Sequence, residues 1–196
     1  MDTTTTAKQL QPVLSKLADV LDGITAEQAG DPTPCTEYDV AALRSHVVGW
    51  ATAFADGFAD PQGRCSDPEA VTVTGTGGDQ VRAAAASLAK SLPEAADRPM
   101  SIGEAQMPGE LSLGMILWEY QVHGWDLARA TGQEFSPAQD GLENSLEFAP
   151  MMLTPDYQGE GKSFAPRVEV PQDAPALDRL VGLSGRDPKW SATDAG

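Results

Sequence analysis

The chain contains only two histidines among its 196 residues. His123 follows Glu119 by four positions in the segment EYQVHGWDLARATG, residues 119–132. On a helix, positions four apart lie about 40° apart around the axis and about 6 Å along it. Glu119 and His123 would therefore project side by side and could chelate one cation. His46, in LRSHVVGW (43–50), stands beside Leu43 and Trp50 at the edge of its helix's apolar stripe. Bundles build ligand sites from inward side chains on facing helices, so these two segments could bring all three groups together. The plainer alternative is an intrahelical Glu119–His123 pair, with each histidine a satisfied core residue. Position favours a cation: an acid and a histidine at the edge of a packed face are costly to bury unpartnered.

Two neutral imidazoles and one carboxylate leave a divalent ion with open positions, the pattern of catalytic rather than closed structural sites. An ion held this way binds water or a thiol and lowers the thiol's pKa. Zinc is the default; nickel, iron and manganese also suit N/O ligands. Asp126 and Arg129 follow His123 by about one and two turns. They are candidates for an acid that orients an imidazole and a cation for an anionic substrate or thiol, against the alternative of an intrahelical ion pair. Trp50, Trp118 and Trp125 could line a pocket, with core packing the simpler reading. Cys35 precedes a helix, where a thiol's pKa can fall; a plain buried cysteine is simpler. TVTGTGGDQ (72–80) is Gly-rich but lacks the P-loop lysine and dinucleotide spacing, so it is assigned no phosphate role.

The elements that must position these residues are mostly helical. Residues 5–24 carry Leu10, Val13, Leu14, Leu17 and Leu21 at helical spacing, with Pro12 as a kink or the true start. Thr36 is expected to open a second helix, with Asp39 three residues on and a stripe of Val40, Leu43, Val47, Trp50, Phe54 and Phe58. Residues 59–78 read as loop, and 79–96 as an Ala-rich third helix. Residues 98–111 suggest a short strand or hairpin. A fourth helix is expected from Leu113 to Ala130 with Gly132 as its stop, a fifth over 138–153, and a short one over 175–183. The tail from Gly159 is loop-rich, and the last dozen residues read as frayed. The expectation is one domain over 1–196, a helix bundle with its core at about 5–153 and an extension at about 159–190.

The net charge of −16 disfavours nucleic acid and anionic membranes as partners. No basic-then-apolar leader opens the sequence and no run approaches a membrane span, so a cytoplasmic location is expected. Cys35 and Cys65 do not form a disulfide framework, although a single bridge between them is left open.

TPCTEYDVAALRSHVVGW, EYQVHGWDLARATGQ and PALDRLVGLSGRDPKW, in that order, resemble the actinobacterial metal-binding proteins of the DinB-like superfamily. The resemblance is nearer to the group related to the N-terminal domain of mycothiol-dependent maleylpyruvate isomerase, and it covers about residues 5–190. It implies an all-α fold, a four-helix bundle of up-down-down-up topology with a divalent metal between helices. The family's ligands, a His on the second helix and a Glu-x-x-x-His pair on a later one, correspond to His46, Glu119 and His123. It also implies mycothiol as a possible co-substrate. The isomerase has a second, C-terminal domain that this chain is expected to lack, so maleylpyruvate isomerisation itself is not transferred. The implied function is a metal-dependent, thiol-dependent S-transferase or isomerase-like enzyme acting on a small electrophile. The rivals are a non-catalytic metal- or small-molecule-binding or resistance protein and a metal-dependent hydrolase. The absence of an obvious second general base disfavours the last. A homodimer is a further expectation.

Overall fold

Helix α1 (Thr3–Asp22) starts where the Asp2 carboxylate accepts the Thr5 backbone N–H, filling one of the unpaired donors of a helix end. Pro12 therefore lies inside the helix rather than at its start, on an exposed position. The computed structural model describes residues 2–162 and 164–192. Helix α2 (Val40–Ala59) begins four residues after the expected Thr36. Asp39 is its cap, accepting the Ala42 N–H at 2.7 Å. Residues 33–38 are instead held as a tight turn, in which the Thr33 hydroxyl donates to the carbonyls of Cys35 and Tyr38.

Helix α3 spans Gly78–Ala95, and strands β1 (Met100–Ile102) and β2 (Ala105–Met107) pair antiparallel as the expected hairpin. Gly103 turns it with φ +59°, a conformation other residues rarely take. Helix α4 (Gly109–Thr131) starts one turn earlier than expected, because the Pro108 carbonyl accepts the Ser112 N–H while the apolar stripe begins only at Leu113. It ends at Gly132 with φ +69°. Helices α5 (Gln139–Met152) and α6 (Ala176–Leu183) lie where the periodicity places them. Single turns of tighter helix at Ala26–Gly30 and Pro68–Ala70 punctuate the loops.

Contacts between helix ends give the direction of each rod. The start of α3 meets the end of α1, where Gly78 lies against Asp22 and Ala18. Gln133, just beyond α4, donates to Val20 near the end of α1, so α1 and α4 run parallel. Arg98 donates to the Phe58 carbonyl, and Gly109 packs on the carbonyls of Ala96 and Arg98, so the end of α2 faces the start of α4. The bundle is thus up-down-down-up, with α2 and α4 antiparallel.

Leu10, Leu14, Leu17 and Leu21 of α1 meet Val47 and Phe54 of α2, Val81 and Leu88 of α3, and Leu113, Ile116 and Tyr120 of α4 in one core. A second cluster covers the other face of α4, where Trp118 and Val122 pack with Phe148 and Leu180. This double covering is why α4 is apolar around most of its circumference.

The expected fraying of the last dozen residues does not hold for those described. The Arg186 side chain lies largely buried against Asp126 of α4, and Trp190 packs on the core. Residues 193–196 of that stretch lie outside the described residues. Among the described residues, no helix is long and apolar enough to cross a membrane.

Candidate metal centre

The antiparallel crossing of α2 and α4 brings the three sequence-selected residues together. One ligand atom from each of His46, Glu119 and His123 lies within 4.8 Å of the others. His46 Nε2 stands 3.3 Å from Glu119 Oε1, and the two imidazole rings are 5.2 Å apart at their centres. Donors about 2.0–2.1 Å from a tetrahedral ion stand about 3.3–3.4 Å from each other, so this spacing suits a shared ion. All three side chains are partly accessible rather than sealed.

The far nitrogens of the imidazoles are occupied. His123 Nδ1 lies 3.1 Å from Asp126 Oδ2, one turn along α4, which leaves Nε2 free to face the triad. His46 Nδ1 lies 3.5 Å from the Tyr38 hydroxyl, at the long limit of a hydrogen bond. A partner on the second nitrogen fixes tautomer and ring orientation, the usual support for a metal-binding imidazole. Asp126 is fully buried and also receives Arg186, whose Nη2 donates to Oδ2 at 3.1 Å while Nη1 donates to the Ser184 carbonyl at 2.6 Å. Burial pushes the Asp126 carboxyl up, but Arg186 and His123 together outweigh it and hold the group below the ordinary carboxylate value. The buried aspartate is therefore ionised and compensated.

Cys35, His123 and Asp126 form a second group of the same spacing. Its carboxylate already faces the Arg186 guanidinium, which repels a cation. Glu119, by contrast, has no arginine or lysine ion-pair partner among the described residues. The donor set that fits a divalent ion is the first one. Both cysteines are free thiols. Burial raises the Cys35 thiol above its usual value despite nearby Arg186, and burial with Asp56 pushes Cys65 up to about 11. Cys35 still borders the cavity described next, whereas Cys65 does not.

The triad opens into a cavity of about 700 Å³. Trp50 and Trp118 line it, and Trp118 also donates to Ser184 at 2.9 Å. Trp125 does not line it and packs in the core instead. Arg129 also turns away. Its guanidinium sits 5.6 Å from the centre of the Trp125 ring and donates to the Pro188 carbonyl. The arginine that borders the cavity is Arg186. Neither Arg186 nor Tyr38 was singled out from the sequence. Arg186 lies in the GRDP stretch after a short amphipathic helix, where the adjacent Asp187 is the local acid and nothing in the spacing points to Asp126, 60 positions earlier. Residues 159–162 and 164–166 also line the cavity, among them Phe164 and Pro166.

The family model for the mycothiol maleylpyruvate isomerase N-terminal domain matches residues 10–128, more than half of the chain. That span holds His46, Glu119, His123 and Asp126 and excludes Arg186. Two proteins from two strains of Mycobacterium tuberculosis, the uncharacterized proteins Rv0738 and MT0763, are each 29% identical over 169 residues. The match covers 86% of this chain and 91% of each relative. No solved structure matches.

Proposed function

The chain belongs to the mycothiol maleylpyruvate isomerase N-terminal domain family, and from that premise we propose that it is a metal-dependent, thiol-dependent S-transferase or isomerase-like enzyme. In this reading His46, Glu119 and His123 hold one divalent ion, zinc by default, and mycothiol is the thiol. A divalent ion there supplies a Lewis acid that favours the thiolate form of a thiol at neutral pH. Tyr38 and Asp126 hold the two imidazoles in register, and Arg186 keeps Asp126 charged. In the transfer reaction the thiol gives up its proton to solvent, sulfur forms a bond to the electrophilic carbon, and the leaving group departs with its bonding pair. In the isomerase-like reaction the thiolate adds to a conjugated double bond, the resulting single bond rotates, and expulsion of the same thiolate restores the double bond.

The observation that carries the proposal is the convergence of three donors, two of them on an i,i+4 pair, at the wall of a cavity large enough for a guest. Elemental analysis of the purified chain should find about one divalent ion per molecule. His46→Ala and His123→Ala should each lose most of it while remaining folded. Full metal content in both variants would remove these histidines as ligands. Consumption of an electrophile panel only when thiol and metal are both present supports the transferase. Consumption without thiol points to a hydrolase, and tight binding without consumption to a binding protein.

A further inference from the structure

Along the antiparallel helices, the residues lining the cavity on either side of the triad fall into two groups of opposite chemistry. Because α2 and α4 are antiparallel, the steps 46, 50, 54 along one and 123, 119, 115 along the other leave the triad in the same direction. They run toward the hairpin, so Trp50, Phe54, Ile102 and Met115 line that end. The first two rings are stacked, with centres 5.1 Å apart and an interplanar angle of 29°. Trp118 adds a side wall, with the centre of the Phe164 ring 5.5 Å from that of its own. The other end, at the start of α2, carries Cys35, Glu37, Tyr38 and Arg186. The other ionisable lining residues, Glu160 and Lys162, are exposed, which places them at the rim.

We propose that the hairpin-side end is the binding site for a neutral, aromatic small molecule, whose reactive end reaches the His46–Glu119–His123 triad. This deepens the reading above and rests on it only in assigning the reactive end to the triad. Two turns of helix give the apolar end a depth of about 12 Å. The whole cavity falls in the range of pockets that enclose drug-sized ligands, well beyond what a guest of a few atoms fills. Stacked and tilted rings reward a flat apolar guest. A charged guest against tryptophan, phenylalanine, isoleucine and methionine would lose its hydration with no partner. The polar end is left for the hydrophilic part of a second reactant.

The test is titration of the full chain with N-phenyl-1-naphthylamine, a neutral probe whose emission rises in apolar surroundings, with naphthalene-2,6-dicarboxylate as the charged counterpart. The expected result is saturable one-to-one binding of the neutral probe, with the dianion at least about tenfold weaker. Combining Trp50→Ala with Met115→Gln should weaken the neutral probe at least about tenfold. The proposal is overturned if the wild-type chain shows no saturable binding, or binds the dianion as tightly. It is equally overturned if the folded double variant, checked by circular dichroism, keeps full affinity. Should that variant not fold, the contrast between the two probes on the wild-type chain decides. Metal content is measured on the same samples. Metal without probe binding defeats this inference alone, and probe binding without metal defeats the metal reading alone.

Discussion

Two arginine–aspartate clusters that each join separate parts of the chain differ in how much water reaches them. Arg82 of α3 meets Asp19 at 2.8 Å and Asp22 at 2.7 Å on α1, with the Arg82 side chain 41% exposed. Arg186 meets Asp126 at 3.1 Å with side-chain exposures of 10% and 0%. The groups are chemically the same. At the surface, water already solvates both charges, so pairing them gains little. In the interior, each charge has given up its hydration, and removing either one strands the other. The buried pair is also the one that touches a histidine of the candidate centre. A costly interaction thus sits where it sets an imidazole's orientation, and an inexpensive one sits where two helices merely need to stay together.

This contrast can be broken at several points. The largest effect is expected from Arg186→Met, which leaves Asp126 buried without its guanidinium and with only the His123 ring as partner. Urea unfolding should show a loss of about 3–5 kcal/mol, and a companion Asp126→Leu should recover much of it. A loss as small as that of a surface pair would mean that water reaches Asp126. Next comes Asp126→Asn, which keeps the shape of the side chain but removes its charge. Competition with a chromophoric chelator should show divalent-metal affinity about 10–100-fold weaker, with the fold retained. Tyr38→Phe should do less, because its contact with His46 is at the long limit.

A third effect concerns acid. The Asp126 carboxyl is held below its ordinary value of 3.8, so its contribution to stability is full above that pH. It is lost as the pH falls through the lower folded value, when the carboxyl gains the proton that the unfolded chain has already taken. The urea midpoint of the wild type should therefore drop more steeply in this acid range than that of the Arg186→Met, Asp126→Leu pair. The smallest effect is expected at the surface cluster. Arg82→Met should leave the urea midpoint nearly unchanged, and added salt should shrink even that small effect. A larger, salt-insensitive loss would show that Arg82 acts through packing of its stem on α1.

The helices were legible because each writes its own period. α1, α3, α5 and α6 fall within about two residues of where their apolar spacing places them. The misread ends have local causes. Thr36 and Asp39 are both good caps by type, and Thr33's two hydrogen bonds within the turn decide between them. The first turn of α4 carries no apolar stripe because it packs on carbonyl groups at Gly109. At the site, the Glu119–His123 spacing marked the centre, and scarcity of histidine marked His46. Arg129 drew attention by its helical distance from His123, yet it stacks on Trp125 and faces outward. The residue that does reach Asp126 comes from 60 positions later.

Periodicity, caps and the four-residue step between an acid and a histidine are properties of neighbours along the chain, so reading the residues in order was enough to find them. The direction in which α2 crosses α4, the arginine behind Asp126 and the apolar end beside the triad depend on helix ends meeting across loops. No local spacing carries that information. It arises when apolar stripes with little preference for one partner over another are packed against each other, and the closest packing selects which distant charges and rings become neighbours.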